Sequence, residues 1–164
     1  MTANRSRVFG FHPSSRGFGW IVFEDRITPV DWGVVDARGN KKVISRAEEL
    51  LDKHRPEVFA LERFDDEAAR RRSRIRRLCI AVVKALEKRA IAVRQYSRAE
   101  IANARSLKGA RTRQDVAAAV ADYLIPLRSR LPKPRKIWVG ERSAMRLFCA
   151  AACALTDFDA EEPP

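Results

Sequence analysis

Hydrophobic residues near the start of the chain fall in two short runs separated by a glycine-bearing turn. Val8-Phe9-Gly10-Phe11 leads into His12-Pro13-Ser14-Ser15-Arg16-Gly17, and a second run, Phe18 to Phe23, ends at Glu24-Asp25-Arg26. Apolar runs of this length bounded by turn residues predict two strands, and residues 29–35 predict a third. The brief connections imply an antiparallel meander. The period then changes, with Ala47, Leu50 and Leu51 on one side of a helix over 45–53.

Pro56 ends that helix, and Val58-Phe59-Ala60-Leu61 has the near-continuous apolar pattern of a strand buried on both faces, closed by Glu62. Leu78, Val82, Val83 and Leu86 recur at helical spacing, which predicts one long helix over 66–89 with a strongly basic first half. Residues 91–93 predict another short strand. Ser97 and Glu100 make a capping box for a short helix, and Thr112 caps another with Val116, Val120 and Leu124 as its buried stripe, stopped by Pro126. Residues 128–136 read as a basic loop leading to Trp138 and Gly140. A terminal helix over 142–156 places Met145, Phe148, Cys149, Ala152 and Leu155 on one buried face. The chain therefore reads as a single α/β domain over 1–156, followed by an acidic, frayed tail at 157–164.

Composition sharpens this picture. With 164 residues and 46% hydrophobic side chains, the chain is long and apolar enough to fold as one unit. Lys and Arg number 33 against 21 Asp and Glu, a formal charge of +12 that favours a polyanionic partner. No apolar run approaches the roughly 20 residues that cross a bilayer, and the N-terminus carries no hydrophobic leader, so a soluble, cytoplasmic protein is expected. Cys79, Cys149 and Cys153 include no Cys-x-x-Cys pair, which points to reduced, mostly buried thiols.

Three spaced segments carry a family resemblance: Gly10-x-His12-Pro13-Ser14-Ser15-Arg16-Gly17-x-Gly19-Trp20, Ala60-Leu61-Glu62, and Met145-x-Leu147-Phe148-Cys149-Ala150-Ala151-Ala152. Together they resemble the motifs of the RuvC-like Holliday-junction resolvases, over roughly residues 8–156. The resemblance implies a ribonuclease H-like mixed sheet with helices on both faces. It also implies a nuclease centre in which carboxylates from adjacent elements hold two Mg²⁺ or Mn²⁺ ions, one activating water and the other stabilising the leaving oxygen. A homodimer on branched DNA is implied as well.

The departures bear on the chemistry. His12 stands where the family has an Asp at the end of the first strand, and Cys149 where it has an Asp on the last helix. A neutral imidazole and a thiol with an ordinary pKa near ~8.5 are poor donors to a hard, oxygen-seeking cation. Glu62 matches the family's second acid, and Glu141 lies near where some relatives carry another. His12, Glu62, Glu141 and Cys149 are thus the candidate catalytic positions, with Glu62 and Glu141 the candidate metal ligands. Asp65 and Asp66 are possible substitutes. A zinc site from His12, Glu62 and Cys149 is the other chemistry these residue types allow, although Cys149 and Cys153 one turn apart also fit plain core packing.

Charge marks the binding residues. Arg70, Arg71, Arg72, Arg74, Arg76 and Arg77 form the densest cluster, and such like charges repel on a helix unless an anion compensates them. Lys108, Arg111 and Arg113 extend the surface, with Arg128, Arg130, Lys133, Arg135 and Lys136 beyond. Trp138 or Phe64 offers a platform for an unpaired base, against the plainer reading of core anchors. His54 reads as a dipole partner at a helix C-terminus.

Three functions follow: a protein that binds branched or structured DNA with a degraded two-metal site, an active Mg- or Mn-dependent junction endonuclease with a rebuilt one, or a non-catalytic interaction subunit.

Overall fold

The computed structural model describes residues 7–26, 28–64, 73–107, 109–133 and 144–161. The predicted meander is β1 (Val8–Ser14), β2 (Gly17–Asp25) and β3 (Thr28–Asp36), followed by α1 (Asn40–His54) and β4 (Val58–Glu62). Next come α2 (Ser73–Leu86), β5 (Ala92–Tyr96), the short α3 (Arg98–Ala102), α4 (Arg113–Tyr123) and α5 (Met145–Glu161), with single 3-10 turns at Arg105–Leu107 and Ile125–Arg130. The five strands form one sheet in the order β3-β2-β1-β4-β5. β1, β2 and β3 pair antiparallel, whereas β4 lies parallel to both β1 and β5.

Alternation along β1 divides two cores. Phe9 and Phe11 point to the face covered by α1 and α2, where Phe9 stacks on Phe59 at 5.3 Å between centroids and on Trp20 at 6.0 Å. Val8 points the other way, joining Ile21, Phe23 and Ala60 beneath α4 and α5. That second face depends on two glycines. A Cβ on Gly10 would collide with the Ala150 carbonyl oxygen, and one on Gly19 with the backbone of Arg146, so α5 rests directly on β1 and β2.

Several boundaries differ from expectation. β5 runs to Tyr96 rather than stopping at Val93, because Arg94, Gln95 and Tyr96 pair with Ala60, Leu61 and Glu62 whatever their polarity. α2 stops at Leu86, where hydrogen bonds from Glu87 N to the Lys84 oxygen and from Arg89 N to the Leu86 oxygen close turns; the expected stretch 66–72 lies outside the described residues. Part of the anticipated basic loop is a 3-10 turn with Pro126 at its start.

The largest correction concerns the tail. α5 continues through Glu161, and from Met145 to Asp157 it is buried on all sides rather than on one face. It lies between the sheet and α4. Asp157 has no exposed surface; it accepts from the Tyr96 hydroxyl and pairs with Arg94 Nη1 at 3.1 Å. Asp159 pairs with Arg26 at 2.6 Å and accepts from the Ser106 amide at 2.9 Å. The acids at 157, 159 and 161 anchor the helix instead of fraying it, since Glu161 also pairs with Arg94. Among the described residues no helix is long and apolar enough to cross a membrane.

Candidate functional site

Phe11 and Leu61 pair across the parallel strands β1 and β4, and the next residue on each is His12 and Glu62. Alternation directs both toward the α5 face, the side of Val8 and Ala60. Because α5 lies close on Gly10, Cys149 comes down beside the same strand ends. Glu62 and Cys149 line one cavity of about 50 Å³ together with Cys153, Arg98, Arg111 and Arg113. His12 does not line it. The imidazole is buried at 3% exposure on the neighbouring strand, its ring 6.4 Å from that of Phe64.

Burial disfavours the thiolate at Cys153 and Cys79. Burial pushes the Cys153 thiol well above its ordinary value, and the Glu62 charge adds to this, with a hydrogen bond to the Glu62 backbone acting the other way. Cys79, buried on α2, is pushed up to about 12, again by burial first and Glu62 second. All three cysteines are free and buried, as the sequence implies.

Two hard divalent ions do not fit the described donors. These are one carboxylate, an imidazole outside the cavity and a thiol, where such ions require several oxygens. Among the described residues no group of three or more His, Cys, Asp or Glu is arranged to hold a metal ion, and the alternative zinc set of His12, Glu62 and Cys149 is not assembled. Glu141, Asp65 and Asp66 lie outside the described residues.

Charge gathers at the same end of the sheet. α1 follows β3 and α3 follows β5, so each starts at the C-terminal end of its strand, where ligands of open α/β sheets sit, and Arg74 of α2 lines a crevice there with Ser14 and Ser15. α4 starts against Glu62, and α5 starts over Gly19, the partner of His12. Arg16 at the hairpin tip, Lys41 and Lys42 on α1, Arg74, Arg76 and Arg77 on α2, and Arg98 and Arg111 are all exposed there. Arg113 is half-buried.

The candidate binding residues thus divide between the two faces of the sheet. Arg111 and Arg113 join Glu62 on the α5 side. Arg74 lines a crevice with Ser14, Ser15 and the start of α1, and Arg76 lines a groove of about 450 Å³ with Arg63, Phe64 and Lys84. Arg70, Arg71, Arg72, Lys108, Arg135, Lys136 and Trp138 lie outside the described residues. Arg63, Arg98, Lys41 and Lys42 are additions the sequence reading missed; the usable signal was their position at, or just after, the ends of successive strands.

His54 is more than a dipole partner. It is buried against Trp20, with ring centroids 5.7 Å apart, and its Nε2 lies 2.9 Å from the Asp31 carboxylate.

No protein-family model and no curated protein sequence matches the chain. Solved structures do. RuvC of Thermus thermophilus in complex with a Holliday-junction substrate superposes with a TM-score of 0.69 at 22% identity, covering 94% of this chain and 94% of that one. A second structure of Thermus thermophilus RuvC gives a TM-score of 0.61 at 24% identity, over 94% of this chain and 95% of that chain. The resemblance read from the three motifs holds at the level of architecture: this chain has the ribonuclease H-like fold of RuvC.

Proposed function

We propose that this protein binds branched or structured DNA through the basic end of its sheet, on a resolvase scaffold whose two-metal nuclease centre has been lost. One observation carries the reading. The strand ends that present Glu62 are ringed by arginines and lysines from α1 to α4, while the positions beside Glu62 hold His12 and Cys149 in place of acids. The similar RuvC that was solved with a Holliday junction supports branched DNA as the polyanion. A homodimer belongs to this reading, because a four-way junction is itself two-fold symmetric.

Binding of a labelled four-way junction and of a matched linear duplex across a salt series tests it. With six or more phosphates neutralised, affinity should fall by roughly 10³-fold or more between low and moderate salt. A salt-independent response, or no binding, would favour an interaction subunit. Cleavage is assayed in Mg²⁺ and Mn²⁺ for the natural chain and for a His12→Asp, Cys149→Asp double variant. Cutting only by the double variant supports a lost centre. Cutting by the natural chain that Glu62→Gln abolishes would establish an active nuclease instead.

A further inference from the structure

We propose that the cavity beside Glu62 is a metal-independent phosphodiester site, in which Arg98, Arg111 and Arg113 hold a backbone phosphate without any bridging cation. The inference rests on the DNA-binding reading above and deepens it.

Charge decides the sign of the ligand. Three arginines and one glutamate are among the residues that line the cavity, and burial pushes the Cys153 thiol toward its protonated, uncharged form. A cavity with this balance repels a divalent cation and attracts an anion. Size decides its class. About 50 Å³ is far below the roughly 300 Å³ of a pocket that encloses a drug-sized molecule, so it admits the oxygens of a phosphate but no nucleobase.

Rigidity makes the site selective. Arg111 and Arg113 flank Thr112, whose hydroxyl accepts from the Asp115 amide while the Asp115 carboxylate accepts from the Thr112 amide at 3.2 Å. Arg98 follows Ser97, which forms the same reciprocal pair with Glu100. Both arginine-bearing segments are therefore held by closed capping boxes before any ligand arrives, and less ordering is left for binding to cost. Ile101 and Val116 add apolar lining, beside which a guanidinium–phosphate hydrogen bond is stronger than in open water.

The test is fluorescence anisotropy of a labelled four-way junction with the full chain, over a salt series in Mg²⁺ and in EDTA. An Arg111→Gln, Arg113→Gln variant keeps Thr112 and Asp115, and circular dichroism checks its fold. Arg55→Gln, Lys88→Gln makes the same charge change at the opposite end of the sheet. The expected result is natural-chain affinity unchanged by EDTA, with a slope of log affinity on log salt about one unit shallower in the Arg111/Arg113 variant alone. Natural-chain binding abolished by EDTA would overturn metal independence. An unchanged slope in the Arg111/Arg113 variant, or an equal change in the control pair, would overturn the cavity while leaving DNA binding intact. Failure of the natural chain to bind at any salt would bring down both readings.

Discussion

The Tyr96 hydroxyl donates to the carboxylate of Asp157, joining the last residue of β5 to a fully buried acid on α5. Tyr96→Phe leaves that carboxylate paired with Arg94 on β5 and should lower stability by about 1–3 kcal/mol in urea unfolding. A double-mutant cycle with Asp157→Ala should show a coupling of about 0.5–3 kcal/mol. Strict additivity would mean that the hydroxyl and carboxylate do not act as a pair.

Gly10→Ala and Gly19→Ala each place a methyl group into the backbone of α5. Since backbone cannot swing aside as a side chain can, each change should cost about 1–3 kcal/mol or more. The Glu62 cavity should suffer with it. Equal urea midpoints for the natural chain and both variants would show that α5 does not rest on the sheet at these points.

Cys79 and Cys153 are held protonated in the folded state. A folded pKa above the unfolded one means that the stability these thiols contribute is complete below their ordinary value near 9.0 and is lost as pH rises through the folded value, about 12 for Cys79. Urea midpoints should therefore decline above pH 9. Alkylation by iodoacetamide at pH 8 should be slow for both until the chain is unfolded, and rapid modification of native Cys153 would contradict its burial.

Hydrogen bonds from the Thr112 backbone and hydroxyl hold the Asp115 carboxyl below its usual range, with the Arg111 amide contributing less. A depressed folded pKa gives stability that is present above the unfolded value of 3.8 and lost as pH falls through the folded one. The start of α4 should loosen below about pH 4. Amide exchange at Val116, which bonds back to the Thr112 oxygen, reads this directly, and Asp115→Asn should remove most of the acid dependence.

Features set by neighbours in sequence were legible before the structure. The Val8–Phe23 hairpin, the buried run ending at Glu62, and the capping boxes at Ser97 and Thr112 all follow from local chemistry. Features set by distant partners were not. An acidic stretch after Thr156 reads as solvated until Arg94 and Arg26 are known to face it, and Gln95 reads as loop until β4 pairs with it. The site divides in the same way. Glu62 and Cys149 were found from motif spacing, whereas Arg98 emerges only once strand order brings α3 and α4 to one rim, and His12 proves to be buried outside the cavity.

The common starting edge of the helices has an energetic side. The first turns of α1 and α5 carry no acid, and Lys41 and Lys42 sit where backbone dipoles already concentrate positive potential. Each such residue opposes its own helix by some ~0.3–1 kcal/mol at low ionic strength, a frustration that a bound strand of phosphates would relieve. Folding and ligation are then thermodynamically linked: heparin or any short oligonucleotide becomes a stabilising osmolyte's rival, raising the melting temperature most where salt is scarcest.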